Sequence, residues 1–395
     1  MNVKINNPPQ RRIKILVAPL DWGLGHATRC IPIIKELLNQ KCEVWVAAAG
    51  AQKTLLKEEF PFLLFVELPG YGIKYGKNRA LTICRLLFSI PKILICIKRE
   101  KAWLRAFQTT AAPDAVLSDN RYGLHAPGLF SVFITHQLHI MTPFGRFADR
   151  LLQGINYRSI RHFSRCWIPD IEGELSLAGE LSHPIHMPAI ITRYIGWLSR
   201  LDDGASAQAA SAPADRPTEP SGLLILLSGP EPQRTILEQK IIQQATSWPG
   251  LITLIRGLPE GGRPISPPNN MVIYDHLPAN TLATAIREAD IVLSRAGYST
   301  VMDLVKLGKK AIFIPTPGQT EQEYLGAYLA DRRLALCIRQ SAFSLPEAMA
   351  AARDFPFVDG RSVSPPSGVA PGQGQDDLLR REIQSMLDQL RSPAQ

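Results

Sequence analysis

The sequence predicts two doubly wound α/β domains, each a parallel sheet layered between helices. Three observations carry this. Short apolar runs bounded by glycine or proline alternate with helical periodicity through the first half of the chain. The same alternation restarts at Leu223 and continues to about residue 340. Between them, residues 203–221 (DGASAQAASAPADRPTEPS) are small, polar and proline-rich, which is linker composition. A length of 395 residues suits two domains of ordinary size. The expected boundaries are a first domain over 1–200, a linker over 201–221, a second domain over 222–355, a disordered Gly/Pro/Ser-rich loop over 356–376 and a terminal helix over 377–395.

In the first domain, residues 13–18 (IKILVA) form a buried strand. A glycine loop, PLDWGLGH, follows, then a helix over 27–39 and a strand over 43–48. Further strands are expected at 63–67, 115–118 and 131–135, with helices between. Residues 74–105 carry nine basic residues from Lys74 to Arg105 against one acid, Glu100, interleaved with apolar positions including Leu81, Phe88, Leu94 and Trp103. Pro91 is expected to split this run into two helices. Two readings stand for it: a contact with an anionic membrane surface, or a core face with solvated charges on its other side. In the second domain, strands are expected at 223–227, 251–256, 271–274, 291–294 and 311–314.

Composition narrows the class. Apolar content of 45% is that of a globular protein. The six cysteines are scattered without a C-x-x-C pair, which argues for reduced thiols in a cytosolic setting and against a zinc site. No Asp-x-Asp or ligand-spaced histidines suggest a metal. The N-terminus lacks a signal-peptide core, and no run of about 20 uninterrupted apolar residues predicts a spanning helix. A net charge of +9 invites an anionic partner, but no nucleic-acid module is recognisable.

The richest segment runs from Ser294 to Tyr324. It reads as the end of a strand, a turn broken by Gly297, a helix, a strand closing at Pro315, and a polar loop with Glu321, Gln322 and Glu323. Ser299 or Thr300 can cap the helix, whose free N–H groups then face the carboxyl edge of the sheet, where α/β proteins bind phosphate. Asp303, one turn in, is within reach of a ribose diol.

This ordered set resembles the MurG-type enzymes of glycosyltransferase family 28, over roughly residues 222–340. The resemblance implies a GT-B fold, with two Rossmann-like domains facing a cleft and a last helix packing back on the first domain. It implies a nucleotide-sugar donor, UDP-linked and a substrate, with no cofactor, and a lipid-linked or cell-envelope glycan acceptor. Ser294, Arg295, Gly297, Tyr298, Ser299 and Thr300 occupy the turn and helix start. Asp303 stands where the family has Glu for the ribose, and Gln322 and Glu323 where it has two amides for the sugar. Gly229 and Arg234, after the strand at 223–227, fall at the family's diphosphate loop, and Leu277 near the nucleobase. In the first domain Gly23 and Gly25 shape the acceptor loop. His26 is the candidate base, with Asp119 to orient it and His136 as the alternative base. The bland readings are a packed histidine at a helix start for His26, a turn residue for Asp119 and a solvated helix residue for Arg234. A peripheral place on the inner face of the cytoplasmic membrane follows from the resemblance. The rivals are a GT-B nucleotide-sugar epimerase and a non-catalytic nucleotide-binding partner of another transferase.

Overall fold

The computed structural model describes residues 11–73, 76–201, 222–360 and 373–392. The strands of the first sheet are β1 (Lys14–Pro19), β2 (Glu43–Ala47), β3 (Leu64–Val66), β4 (Ala115–Asp119), β5 (Phe130–Ile134), β6 (Arg165–Ile168) and β7 (Thr192–Tyr194). They lie in the order β3-β2-β1-β4-β5-β6-β7, all parallel. The second sheet holds β8 (Leu223–Leu226), β9 (Ile252–Ile255), β10 (Met271–Tyr274), β11 (Ile291–Ser294), β12 (Ala311–Phe313) and β13 (Leu336–Cys337) in the order β10-β9-β8-β11-β12-β13. Both orders reverse beside their first strand, so each sheet has a switch point where the loops diverge and a crevice opens. The central strands read as unbroken apolar runs because helices cover both faces. The expected strands are present, shifted at their ends by a residue or two.

Four helices matter for the site and its surroundings: α1 (Leu24–Asn39), α2 (Gly50–Glu59), α3 (Arg79–Ala111) and α4 (Arg146–Ile160). α1 starts three residues earlier than expected, so His26 lies in its first turn instead of the loop before it. α3 corrects the expectation of two helices: it runs unbroken through Pro91. Asn78 caps its start by accepting from the Leu81 N–H at 2.8 Å. Its far half is pinned to the sheet, with Leu104 and Phe107 in the core and Glu100 fully engaged. The ~3 kcal/mol penalty of an interior proline is local, and a long helix anchored at both ends absorbs it. By length and composition alone α3 is also apolar enough to cross a bilayer, although Arg85 and Lys92 interrupt it.

The remaining helices are α5 (Gln233–Ala245), α6 (Ala279–Glu288), α7 (Tyr298–Lys306), α8 (Thr320–Asp331), α9 (Leu345–Asp354) and α10 (Gln373–Arg391). α10 returns to the first domain: Arg165 donates to Glu382 at 3.4 Å and Arg380 pairs with Glu36 at 3.5 Å. One apolar cluster runs from β1 and α1 through Trp197, Leu198 and Leu201 into α7 and α8, so the two domains share a core. Residues 202–221 of the expected linker at 201–221, Lys74 and most of the expected loop at 356–376 lie outside the described residues.

Glu100 is the anchor of α3. Its carboxylate accepts from Arg121 Nη1, Tyr71 O–H and the Gly123 N–H, each at 2.9 Å. Arg121 in turn donates to the Pro19 carbonyl at 2.7 Å, at the end of β1. Replacing Arg121 by Met is expected to strand this buried carboxylate and lower stability by about 3–5 kcal/mol, read as the urea midpoint.

Candidate active site

The parallel register delivers three chain segments to one edge. β1 and β4 pair with Pro19 opposite Asp119, and β4 pairs with β5 with Asp119 opposite Ile134. Asp119 therefore ends its strand beside the loop that leads into α1, and His136 lies two residues beyond β5. Gly23 makes the entry to α1 possible, at φ 105, where a side chain is strained. His26 and Arg29 are three residues apart on α1 and share a face.

At the centre is Arg29, which the sequence reading had not proposed. Its guanidinium forks onto the fully buried Asp119, with Nε 2.8 Å from Oδ2 and Nη2 on Oδ1. Nη2 also lies 2.8 Å from His26 Nδ1, and Nη1 lies 3.0 Å from His136 Nδ1. His26 Nδ1 is 3.3 Å from Asp119 Oδ2. His136 Nε2 lies 2.9 Å from Glu321 Oε1, and its ring stacks on Tyr298 at 4.2 Å.

A guanidinium has only donors, so His136 Nδ1 accepts and its proton sits on Nε2, donated to Glu321. Both nitrogens of His136 are thus committed inside the network. His26 Nε2 takes no hydrogen bond from a described residue and is the ring nitrogen left for a substrate. Burial and then the Arg29 charge pull His26 below the usual 6.5, against the attraction of Asp119. The first turn of α1 adds the positive end of a helix. Burial works against ionised Asp119, but the Arg29 charge and its fork of hydrogen bonds outweigh it and hold the carboxyl below its usual range. The site therefore keeps a neutral imidazole beside an ionised carboxylate.

The second domain meets this edge through α7. Ser299 Oγ donates to the Gly25 carbonyl at 2.7 Å, and a Cβ on Gly25 would sit 3.1 Å from that oxygen. The first turns of α1 and α7 touch, and neither has a side-chain cap among the described residues. Two positive helix ends therefore converge where an anion would sit. Gly297 precedes α7 with open space at its Cα, and Thr300 is part-buried in the first turn.

Other expected donor residues are used differently. Arg295 is buried and donates to the carbonyls of Gln233, Ile314 and Pro315 at 2.7, 3.1 and 3.3 Å; burial drops its pKa to about 9. It ties strand ends together and offers no charge to a phosphate. Ser294 bonds the Arg295 carbonyl. Arg234 is neutralised by Glu231 and Glu238, at 2.7 and 2.8 Å, so it is neither a phosphate ligand nor a solvated residue. Gly229, at φ 104, faces open space. Leu277 is in the core; its neighbour His276 pairs with Glu58 of α2 at 3.3 Å, lining a hollow with Arg200 and Asn280. Asp303 accepts from Ser199 Oγ at 2.5 Å and faces Arg200, on the segment leaving the first domain.

Glu321, Gln322 and Glu323 correct the expected loop: they form the first turn of α8, where acidic residues suit the helix dipole. Gln322 is buried and accepts from the Thr316 N–H at 2.9 Å. Glu323 accepts from the Gly318 N–H at 3.0 Å and from Arg79 at 3.2 Å. Only Glu321 joins the histidine network. The sequence held one signal for Arg29, a lone cation on the apolar inner face formed by Ala27, Cys30, Ile31 and Ile34.

Comparison with known proteins bears on this site. Residues 268–354 match the glycosyltransferase family 28 C-terminal domain. The chain is 40% identical over 70 residues to the UDP-N-acetylglucosamine--N-acetylmuramyl-(pentapeptide) pyrophosphoryl-undecaprenol N-acetylglucosamine transferase of Rickettsia felis, covering 17% of this chain and 19% of that one. The Rickettsia akari enzyme of the same description gives 40% over 67 residues, 16% and 18%. The match thus spans less than a fifth of these relatives. Over nearly the whole chain the fold is similar to the glycotransferase of kitacinnamycin, with TM-score 0.61 and 14% identity over 97% of this chain and 100% of that one. It is also similar to the Streptomyces sp. SF2575 glycosyltransferase SsfS6 complexed with thymidine diphosphate, with TM-score 0.54 and 13% identity over 95% and 96%. These are GT-B structures, and the two facing sheets of this chain are that fold.

Asp303 gives a pH test. Burial, only partly offset by Arg200 and Ser199, raises its carboxyl from 3.8 to about 6. The native state then holds a proton that the unfolded chain has released between these values. Its stabilising effect is full below about pH 4 and is lost as pH rises through 6. Asp303→Asn, which mimics the neutral form, should gain stability relative to wild type across that window. The gain is about 3 kcal/mol at most, at about 1.4 kcal/mol per pH unit, measured by denaturant titration at several pH values.

Proposed function

We propose that this chain, which carries a family 28 C-terminal domain on a GT-B frame, is an inverting glycosyltransferase. It takes a sugar from a UDP-linked donor and places it on a hydroxyl of a lipid-linked or cell-envelope acceptor. The observation that carries the reading is the contact of the His26 turn with the first turn of α7: a base is set beside an anion site. In this reading the acceptor hydroxyl gives its proton to His26 Nε2 as its oxygen attacks the anomeric carbon. The bond from that carbon to the diphosphate breaks with inversion. Asp119 steadies the resulting imidazolium, and the helix ends of α1 and α7 take the leaving diphosphate. The Rickettsia relatives, named for a UDP-sugar and a pyrophosphoryl-undecaprenol acceptor, support the donor and acceptor classes. The thymidine diphosphate held by SsfS6 supports a nucleoside diphosphate in the cleft.

The acceptor class draws on a second feature. The first half of α3 exposes Leu81, Leu87, Phe88, Leu94 and Ile95, among Arg85, Lys92, Lys98 and Arg99. α4 separately exposes Phe147, Leu151 and Ile155, all more than half exposed. Near the end of the basic run Leu104 enters the core, with Trp103 packed against it. We read the exposed start of α3 as docking peripherally on an anionic membrane from the cytoplasmic side. Phe88→Asp with Leu94→Asp should lower binding to phosphatidylglycerol vesicles by tenfold or more in co-sedimentation, while leaving the melting temperature unchanged. Equal binding by the variant would sink the membrane reading.

One observation favours the second reading, a nucleotide-binding partner without turnover: Arg29 is closer to His26 Nδ1 than Asp119 is. The test is thermal stabilisation by UDP-, dTDP- and GDP-sugars, with nucleoside diphosphate release followed in parallel. UDP-sugars should stabilise by about 2.7 kcal/mol at a hundred times Kd. His26→Gln should keep that stabilisation and lose about 10²–10⁴-fold in turnover. Stabilisation with no effect of His26→Gln on turnover would favour the partner reading, and no stabilisation by any nucleotide sugar would remove the donor site.

A further inference from the structure

We propose that Arg29 is the positioning residue of this site, and that it, more than Asp119, decides which nitrogen of His26 carries the proton. The inference rests on the assignment of His26 as the base. His26 Nδ1 faces a donor and an acceptor together: Arg29 Nη2 at 2.8 Å and Asp119 Oδ2 at 3.3 Å. One tautomer cannot satisfy both. With the proton on Nδ1, the ring donates to Asp119 and collides with a guanidinium N–H; with Nδ1 bare, it accepts from Arg29 and Nε2 holds the proton. Distance and charge favour the second. A guanidinium keeps its proton throughout the working pH range, so it cannot yield by titrating.

Arg29 has no freedom to turn aside. Its Nε and Nη2 are forked on Asp119, and Nη1 donates to His136 Nδ1 at 3.0 Å. His136 is obliged to accept there because Glu321, from the other domain, takes its Nε2 proton at 2.9 Å. Tyr298 stacked on the ring closes the remaining side. The resting His26 is therefore held as the Nε2–H form, which donates to a ligand. The form that accepts an acceptor proton arises when the His26 ring moves off Arg29 toward Asp119 and its proton passes through solvent from Nε2 to Nδ1, where it is donated to the Asp119 carboxylate. The charged and titratable groups around His26 are Arg29 on its own helix, Asp119 on β4, His136 after β5 and Glu321 on α8. Arg29 opposes the imidazolium, while Asp119 and Glu321 favour it.

The experiment is nitrogen-15 histidine NMR on the full chain, where the Nδ1 and Nε2 shifts report tautomer and protonation. His26→Gln and His136→Gln assign the two rings. Wild type should show Nε2–H for both. Arg29→Lys keeps the charge and a folded site, but one ammonium cannot serve Asp119, His26 and His136 together, so His26 should move to Nδ1–H. Arg29→Gln should raise the His26 titration by about one pH unit or more, and the acid limb of turnover should move with it. An unchanged His26 tautomer in Arg29→Lys overturns the proposal. So does an unchanged titration in a folded Arg29→Gln, as a purely structural arginine would give. If the shifts change as expected while no donor is turned over by wild type, Arg29 stands and the transferase reading falls.

Discussion

The site depends on one buried guanidinium. Arg29 is 2% exposed at the carboxyl edge of the first sheet, and a charge so placed is tolerable only when paired and fully hydrogen-bonded. Asp119 supplies the pairing, and the parallel register of β1 and β4 brings it there. Once that pair forms, little else is free. His26, one turn earlier on α1, is drawn against both partners, and His136 must turn its bare nitrogen toward the remaining N–H. Glu321 completes the chain from the opposite domain.

Closure of the two domains follows the same edge. Ser299 on Gly25, Tyr298 on His136 and Asp303 on Ser199 all join the domains near the start of α7. Glu323 on Arg79 and Gln233 on the Gly76 carbonyl do so at the start of α3. The apolar cluster beneath is continuous across the junction. The candidate site is thus a product of both domains: one brings the neutral imidazole, the other an uncapped helix end. A positive helix end favours an anion, and the same end, with Arg29, discourages a charged His26.

Much of the fold was legible because buried parallel strands leave an unmistakable trace, short apolar runs such as ILVA and IVLS with a glycine in the turn that follows. The alternation gave both sheets, and the glycine loop gave the place of His26. Partners were less legible, because residue type does not reveal what a side chain touches. Arg295 reads as part of the donor-site turn and Arg234 as a charge at the diphosphate loop, yet three carbonyls hold one and two glutamates hold the other. Arg29 is a lone cation on an apolar helix face, which calls for a buried anion, but residue type does not say which carboxylate supplies it. Glu321 to Glu323 read as loop because polar residues open α8 before Leu325 and Leu329 show its period. Pro91 predicts a break from its local effect alone, but Glu100 anchors α3 far down the same helix.

The most direct measurement is a crystal structure of the protein with UDP. The account predicts a diphosphate hydrogen-bonded by the first-turn N–H groups of α7 and the Gly23–Gly25 loop, with the Arg29–Asp119 fork intact beneath it. A diphosphate bound elsewhere, or Arg29 released from Asp119 to hold the phosphates itself, would contradict it.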